Sequence, residues 1–163
     1  MKKSRLLTLL LVFVLLVTAV GIVSASSQRN FRAHLSGSQE VPAADTEAQG
    51  QAIFQLNEAG DAIHYKLIVA NIDDVQMSHI HLAPAGSNGG IVVWLYPDAP
   101  PPQLIEGRTD GILAEGTITA ANLVGALAGQ SISDLVAEIM AGNTYVNVHT
   151  IDFPGGEVRG QIH

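Results

Sequence analysis

From Ala62 to Ala70 the chain alternates strictly, with Ile63, Tyr65, Leu67 and Val69 at every second position. Successive side chains on a strand point to opposite faces, so a two-residue apolar period marks a strand with one face buried. Gln51 to Leu56 repeats the pattern, with Ala52, Phe54 and Leu56 set against Gln51 and Gln55, and Asn57-Glu58-Ala59-Gly60-Asp61 turns one run into the other. That pair reads as a β-hairpin. A second hairpin closes the chain. Thr144 to Thr150 is rich in β-branched and aromatic residues, Pro154-Gly155-Gly156 supplies the turn, and Glu157 to Gln161 alternates again.

Between these hairpins lie further strand candidates: Asn30 to Leu35, Val75 to Leu82, the apolar Ile91 to Leu95, and Ile112 to Ile118. Pro97, Pro100, Pro101 and Pro102 exclude regular structure from Tyr96 to Gln103. Thr119 can cap a short helix over Ala120 to Leu127. Ser131 or Ser133 can cap a second, with Leu135, Val136, Ile139 and Met140 at helical spacing and Gly142 as its stop. Seven or eight short antiparallel strands with one or two short helices in a crossover predict an all-β, Greek-key β-sandwich.

The chain opens on Met1-Lys2-Lys3-Ser4-Arg5, followed by an uncharged stretch from Leu6 to Val23 and small residues at Val23-Ser24-Ala25. A basic start, an apolar middle and small residues at the boundary describe a secretory signal over residues 1–25, with an uncleaved anchor as the alternative. The expected domain is then 26–163, and the expected location is extracytoplasmic. Removal of 25 of the 163 residues leaves 138, with five basic residues (Lys66 and four arginines) against 15 acidic ones, a net charge of −10. Such a surface repels nucleic acid and anionic lipid and tolerates cations, so membrane contact is expected only through the N-terminal segment. The chain has no cysteine, so the fold must rest on its hydrophobic core.

Chemistry is concentrated in two of the strands. Met77, His79 and His81 share one face of theirs, with Ile80 on the other. His-x-His on a strand can bind one metal ion, and a solvated pair of surface histidines is the alternative. His149 shares a face with Tyr145 and Asn147, and supplies a third imidazole if its strand neighbours that of His79. Three neutral imidazoles suit copper or zinc. Asn147 either bonds a ligand ring and fixes its tautomer or sits on a solvated sheet face. Glu157 and Arg159, two apart on one face, make either a surface ion pair or a place where Arg159 attracts a small anion near the metal. His34, His64 and the terminal His163 read as incidental surface residues. No Gly-x-Ser-x-Gly occurs, and Gly86 to Gly90 does not lead into a helix, so neither a nucleophile elbow nor a phosphate loop is expected.

Four stretches then resemble the CHRD (chordin-type) domain family: Phe31-Arg32-Ala33-His34-Leu35-Ser36-Gly37-Ser38-Gln39-Glu40-Val41-Pro42, Ser78-His79-Ile80-His81-Leu82-Ala83, Tyr145-Val146-Asn147-Val148-His149-Thr150, and Pro154-Gly155-Gly156-Glu157-Val158-Arg159-Gly160-Gln161. They come in the family's order, and Ala43 stands where the family has a second proline. The resemblance implies an immunoglobulin-like β-barrel or sandwich in a bacterial secreted protein, and it implies no settled activity. A fainter similarity is to copper-zinc superoxide dismutases, in which a His-x-His pair, a later strand histidine and a following arginine serve copper. His79, His81, His149 and Arg159 match that order. One residue is inserted before His149, and a bridging histidine, a zinc-ligand cluster and a disulfide are missing. The expectations are therefore three: a non-catalytic extracellular binding module for an unknown protein or small ligand, a mononuclear copper or zinc site, and a dismutase-like enzyme built on that site.

Overall fold

The computed structural model describes residues 29–163; the signal segment expected over residues 1–25 lies outside them. Seven strands, β1 (Asn30–Ser36), β2 (Gln49–Leu56), β3 (Ala62–Leu82), β4 (Gly90–Tyr96), β5 (Ile105–Thr119), β6 (Thr144–Thr150) and β7 (Val158–Gln161), and one α-helix, α1 (Ile132–Met140), make up the regular structure among the described residues, with three short 3-10 turns. The strands form a single sheet whose paired neighbours are antiparallel. The all-β expectation holds.

β3 organises the whole. Sequence reading ends one strand at Ala70 and begins another at Val75, but the strand continues through 21 residues. Its first half pairs with β2 and β5, and its second half with β6 and β4. The exchange of partners happens where Asn71 and Asp74 take left-handed backbone angles (φ 57° and 50°), a conformation that Asn and Asp tolerate better than other side chains. Hydrogen bonds from the Asn71 amide to Asp110 (2.8 Å) and from the Gly107 amide to Asp74 (2.7 Å) pin these irregularities to β5. Because one long strand serves both halves, the pairings β1–β2–β3–β6–β7–β1 close a ring of five strands. β7 reaches β1 only through a close approach, since a Cβ on Gly160 would lie 2.1 Å from the His34 carbonyl oxygen.

The ring interior is the core. Phe31, Leu35, Phe54, Ile63, Leu67, Val69, Ile80, Val146, Val148, Val158 and Ile162 are all buried there. The helix is where the sequence places it. Ser131 and Asp134 cap it reciprocally, the Asp134 amide donating to Ser131 Oγ (3.3 Å) and the Ser131 amide to Asp134 Oδ2 (2.9 Å). The helix expected from Ala120 to Leu127 is instead two 3-10 turns, Ala120–Asn122 and Gly125–Leu127. The Asn122 amide oxygen folds back onto the Thr119 N–H (2.8 Å), and Gly125 takes φ 56°, so the helix cannot propagate between them.

Candidate metal centre

Antiparallel register sets β3 against β6 with Met77 opposite His149, His79 opposite Asn147 and His81 opposite Tyr145. Ile80, Val146 and Val148 point into the core, so the histidines stand on the outer face of the ring. A sheet face of that composition reads as solvated, and the structure corrects this. β6 is buried along its entire length. The 83–89 loop and the 151–156 loop fold over the polar row: Gly89 bonds His81, Pro154 bonds His149, and Pro84, Ser87 and Asn88 bond Arg159. His79 is fully buried, His81 is 8% exposed and His149 6%.

The three imidazoles converge. One nitrogen from each lies within 4.8 Å of the others. His79 Nδ1 and His149 Nε2 are 3.3 Å apart. Two nitrogens each about 2.05 Å from a tetrahedral ion stand about 3.3 Å from one another, so this pair already has the spacing of two ligands.

Hydrogen bonding sets the tautomers. Carbonyl oxygens only accept, so His81 Nδ1–H donates to Gly89 O (2.9 Å) and His149 Nδ1–H to Pro154 O (3.0 Å). Each ring therefore turns an Nε2 lone pair toward the cluster, the arrangement in which a second partner orients a metal ligand. Nε2 of His79 and of His81 are buried with no partner. An unsatisfied buried group costs about 1–3 kcal/mol, so the fold leaves these two ring nitrogens unsatisfied at a penalty. Protonation does not relieve it. Burial, then the neighbouring His149 and His81, pushes the His79 pKa down to about 3. Burial pushes His149 down to about 4, against the pull of the Pro154 carbonyl. His81 is lowered too, by burial first, with Gly89 and Asn147 opposing and the Arg159 charge assisting. All three rings are neutral at pH 7, as ligation requires.

The surrounding residues depart from expectation in instructive ways. Asn147 is not on a solvated face; it is 2% exposed, and its Oδ1 is buried without a partner. Glu157 and Arg159 do not form a surface ion pair. Glu157 is buried and accepts from Thr46 Oγ1 and Thr150 Oγ1, both at 2.7 Å. Arg159 is 1% exposed, its guanidinium 3.4 Å from the centre of the Tyr145 ring, and Tyr145 lies parallel to His81 with ring centres 4.9 Å apart. Its N–H groups are committed to Asn88 Oδ1 (3.1 Å), Pro84 O (3.3 Å) and Ser87 O (2.8 Å). His34, His64 and His163 are exposed, as expected.

Two residues around the centre escape sequence reading as site residues. Trp94 stands edge-on to His79 with ring centres 4.3 Å apart. Glu40 is 6% exposed, with Oε1 unpartnered and its pKa pushed up to about 7 by burial, against the pull of the Arg159 charge and the Val41 backbone N–H. It fits there because position 156 has no side chain: a Cβ on Gly156 would lie 2.4 Å from Glu40 Oε1 and 2.9 Å from Asn147 Nδ2. Glu40, Asp45 and Asp152 help line a cleft of about 350 Å³ that also includes Pro154 and Gly156. The signal for Glu40 lay only in its place beside Val41-Pro42, and its partner glycine is over a hundred residues away.

Residues 31–162 match the family model described as the CHRD domain. No curated protein and no solved structure matches the chain.

Proposed function

The chain belongs to the CHRD domain family, and we propose that it works as a non-catalytic binding module outside the cytoplasm whose ligand is one transition-metal ion, copper or zinc, held by His79, His81 and His149. The observation that carries this reading is the convergence of three buried, neutral imidazoles with two unpartnered Nε2 atoms. Burying such a cluster with nothing to bind costs stability and returns none. The acids of the neighbouring cleft, Glu40, Asp45 and Asp152, favour the approach of a cation rather than an anion. When bound, an ion supplies a cross-link between β3 and β6. The Gly89 and Pro154 carbonyls hold two of the rings in the ligating tautomer. The basic start and uncharged stretch within residues 1–25 support export.

Binding is favoured over turnover by Arg159. A dismutase-like reaction on these histidines needs a cation that steers an anion in from solvent, and this guanidinium is enclosed and bonded to loop carbonyls. The test is metal analysis of the purified protein together with titration by Zn(II) and Cu(II). One ion per chain is expected, lost in a His79→Ala/His81→Ala double variant. Undiminished uptake in that variant ends the reading.

A further inference from the structure

The donor set is richer than three imidazoles. Met77 is two residues before His79 on the same strand and directly opposite His149. Residues directly opposite on an antiparallel pair have Cβ atoms about 4.5–5.5 Å apart on one face. Ser78 and Ile80, the residues between, pair with Val148 and Val146 on the core side, so Met77, His79, His81 and His149 share the outer face. Met77 is only half-buried, at the margin of the centre, and its three rotatable bonds let the sulfur adapt to what lies beside it.

The charge of the donor set points the same way. The clustered donors include no carboxylate. Glu157 is engaged by Thr46 and Thr150, and the Tyr145 hydroxyl accepts from the Gly89 amide (3.3 Å). Arg159, stacked through Tyr145 onto His81, adds a buried positive charge beside the centre. Nothing in the donor set neutralises a second charge on the ion, so a monovalent ion is buried here at far lower electrostatic cost than a divalent one.

We infer that Met77 supplies a fourth, thioether donor and that the centre is a copper site able to hold Cu(I), in preference to zinc. A soft sulfur with imidazoles selects copper, and a neutral donor set beside Arg159 selects its lower charge state. The inference rests on the three-histidine reading and narrows it to one metal.

Trp94 is the sole tryptophan of the chain and touches His79, so its fluorescence reports on the centre. The experiment compares the full chain with Met77→Leu, a volume-conserving change, by titration with Cu(I) buffered by bicinchoninate and, separately, with Zn(II). Copper is expected to quench Trp94 and to bind more tightly than zinc. Met77→Leu is expected to weaken Cu(I) binding about tenfold or more while leaving Zn(II) affinity within about threefold. A tenfold loss confined to Cu(I) also lowers the Cu(II)/Cu(I) midpoint potential by about 59 mV. Unchanged Cu(I) affinity and potential in Met77→Leu, or tighter binding of zinc than of copper, overturns the inference and leaves the three-histidine centre standing. Failure of both metals to bind the unaltered chain overturns the two readings together.

Discussion

Acidification should destabilise the metal-free protein, and Glu40→Gln should make that destabilisation steeper. In the unfolded chain a histidine titrates near 6.5, whereas folding holds His79 at about 3 and His149 at about 4. Their contribution to stability is therefore complete above about pH 6.5 and is lost as the unfolded state takes up protons that the folded state refuses. From pH 7 to pH 5 each ring costs about 2 kcal/mol, roughly 4 kcal/mol for the pair. Glu40 works in the opposite sense. Its folded value of about 7 lies above the unfolded value of 4.5, so the folded state holds a proton that the unfolded state lacks, and stability from this group grows as pH falls through that window. Over the same two pH units it returns about 2 kcal/mol, which offsets about half of that loss. Glu40→Gln removes the offset and keeps the shape of the side chain. The loss then roughly doubles to about 4 kcal/mol, so a melting-temperature drop of about 8 °C in the unaltered chain should become one of about 16 °C at roughly 4 °C per kcal/mol. Thermal melts of both proteins at pH 7, 6 and 5 with a metal chelator present measure this directly. Equal pH slopes in the two proteins would refute the account of Glu40, and a stability flat between pH 7 and 5 in Glu40→Gln would refute that of the histidines.

Four further outcomes follow from particular contacts. Gly160→Ala should cost more than about 2 kcal/mol in chemical denaturation, because the new methyl meets the His34 carbonyl oxygen at 2.1 Å and forces β7 away from β1. Gly156→Ala should weaken Cu(II) and Zn(II) binding as well as stability, since its methyl collides with Glu40 and Asn147 in a backbone conformation of φ 126°. Arg159→Met should lower stability by about 2 kcal/mol or more, leaving the Pro84 and Ser87 carbonyls without their donor; a melting temperature equal to that of the unaltered chain would contradict this. Ser131→Ala should cost about 1 kcal/mol through loss of the helix cap, with metal uptake unchanged.

The strands were readable because their signal is local. Ile63, Leu67 and Val69 announce a face, and that face is buried in the ring. Ser131 and Gly142 likewise bracket α1, because capping chemistry needs only neighbouring residues. The stretch between Ala70 and Val75 read as a gap between two strands, since an irregularity that lets β3 change partners has the same residues as the end of a strand. Asn122 and Gly125 broke a helix whose spacing was otherwise suitable. At the centre, His79 and His81 share a face by alternation alone, whereas His149 joins them only because β6 pairs with the second half of β3. Glu40 and Trp94 come from other segments, and no spacing connects them to the histidines.

By itself, then, the sequence determined what a two-residue period can determine: an antiparallel β chain, its hairpins, its helix, and a family signature spread from Phe31 to Gln161. Tertiary structure decided what surrounds the polar row. Alternation places Asn147, His149 and Arg159 on the outer face of the ring, and outer faces are ordinarily wet. The 83–89 and 151–156 loops cover this one, and covering changes the chemistry: burial holds these imidazoles neutral, with His81 and His149 bonded through Nδ1 and the Nε2 of His81 left without a partner. Burial depends on residues remote in the chain, and so no local pattern could carry it.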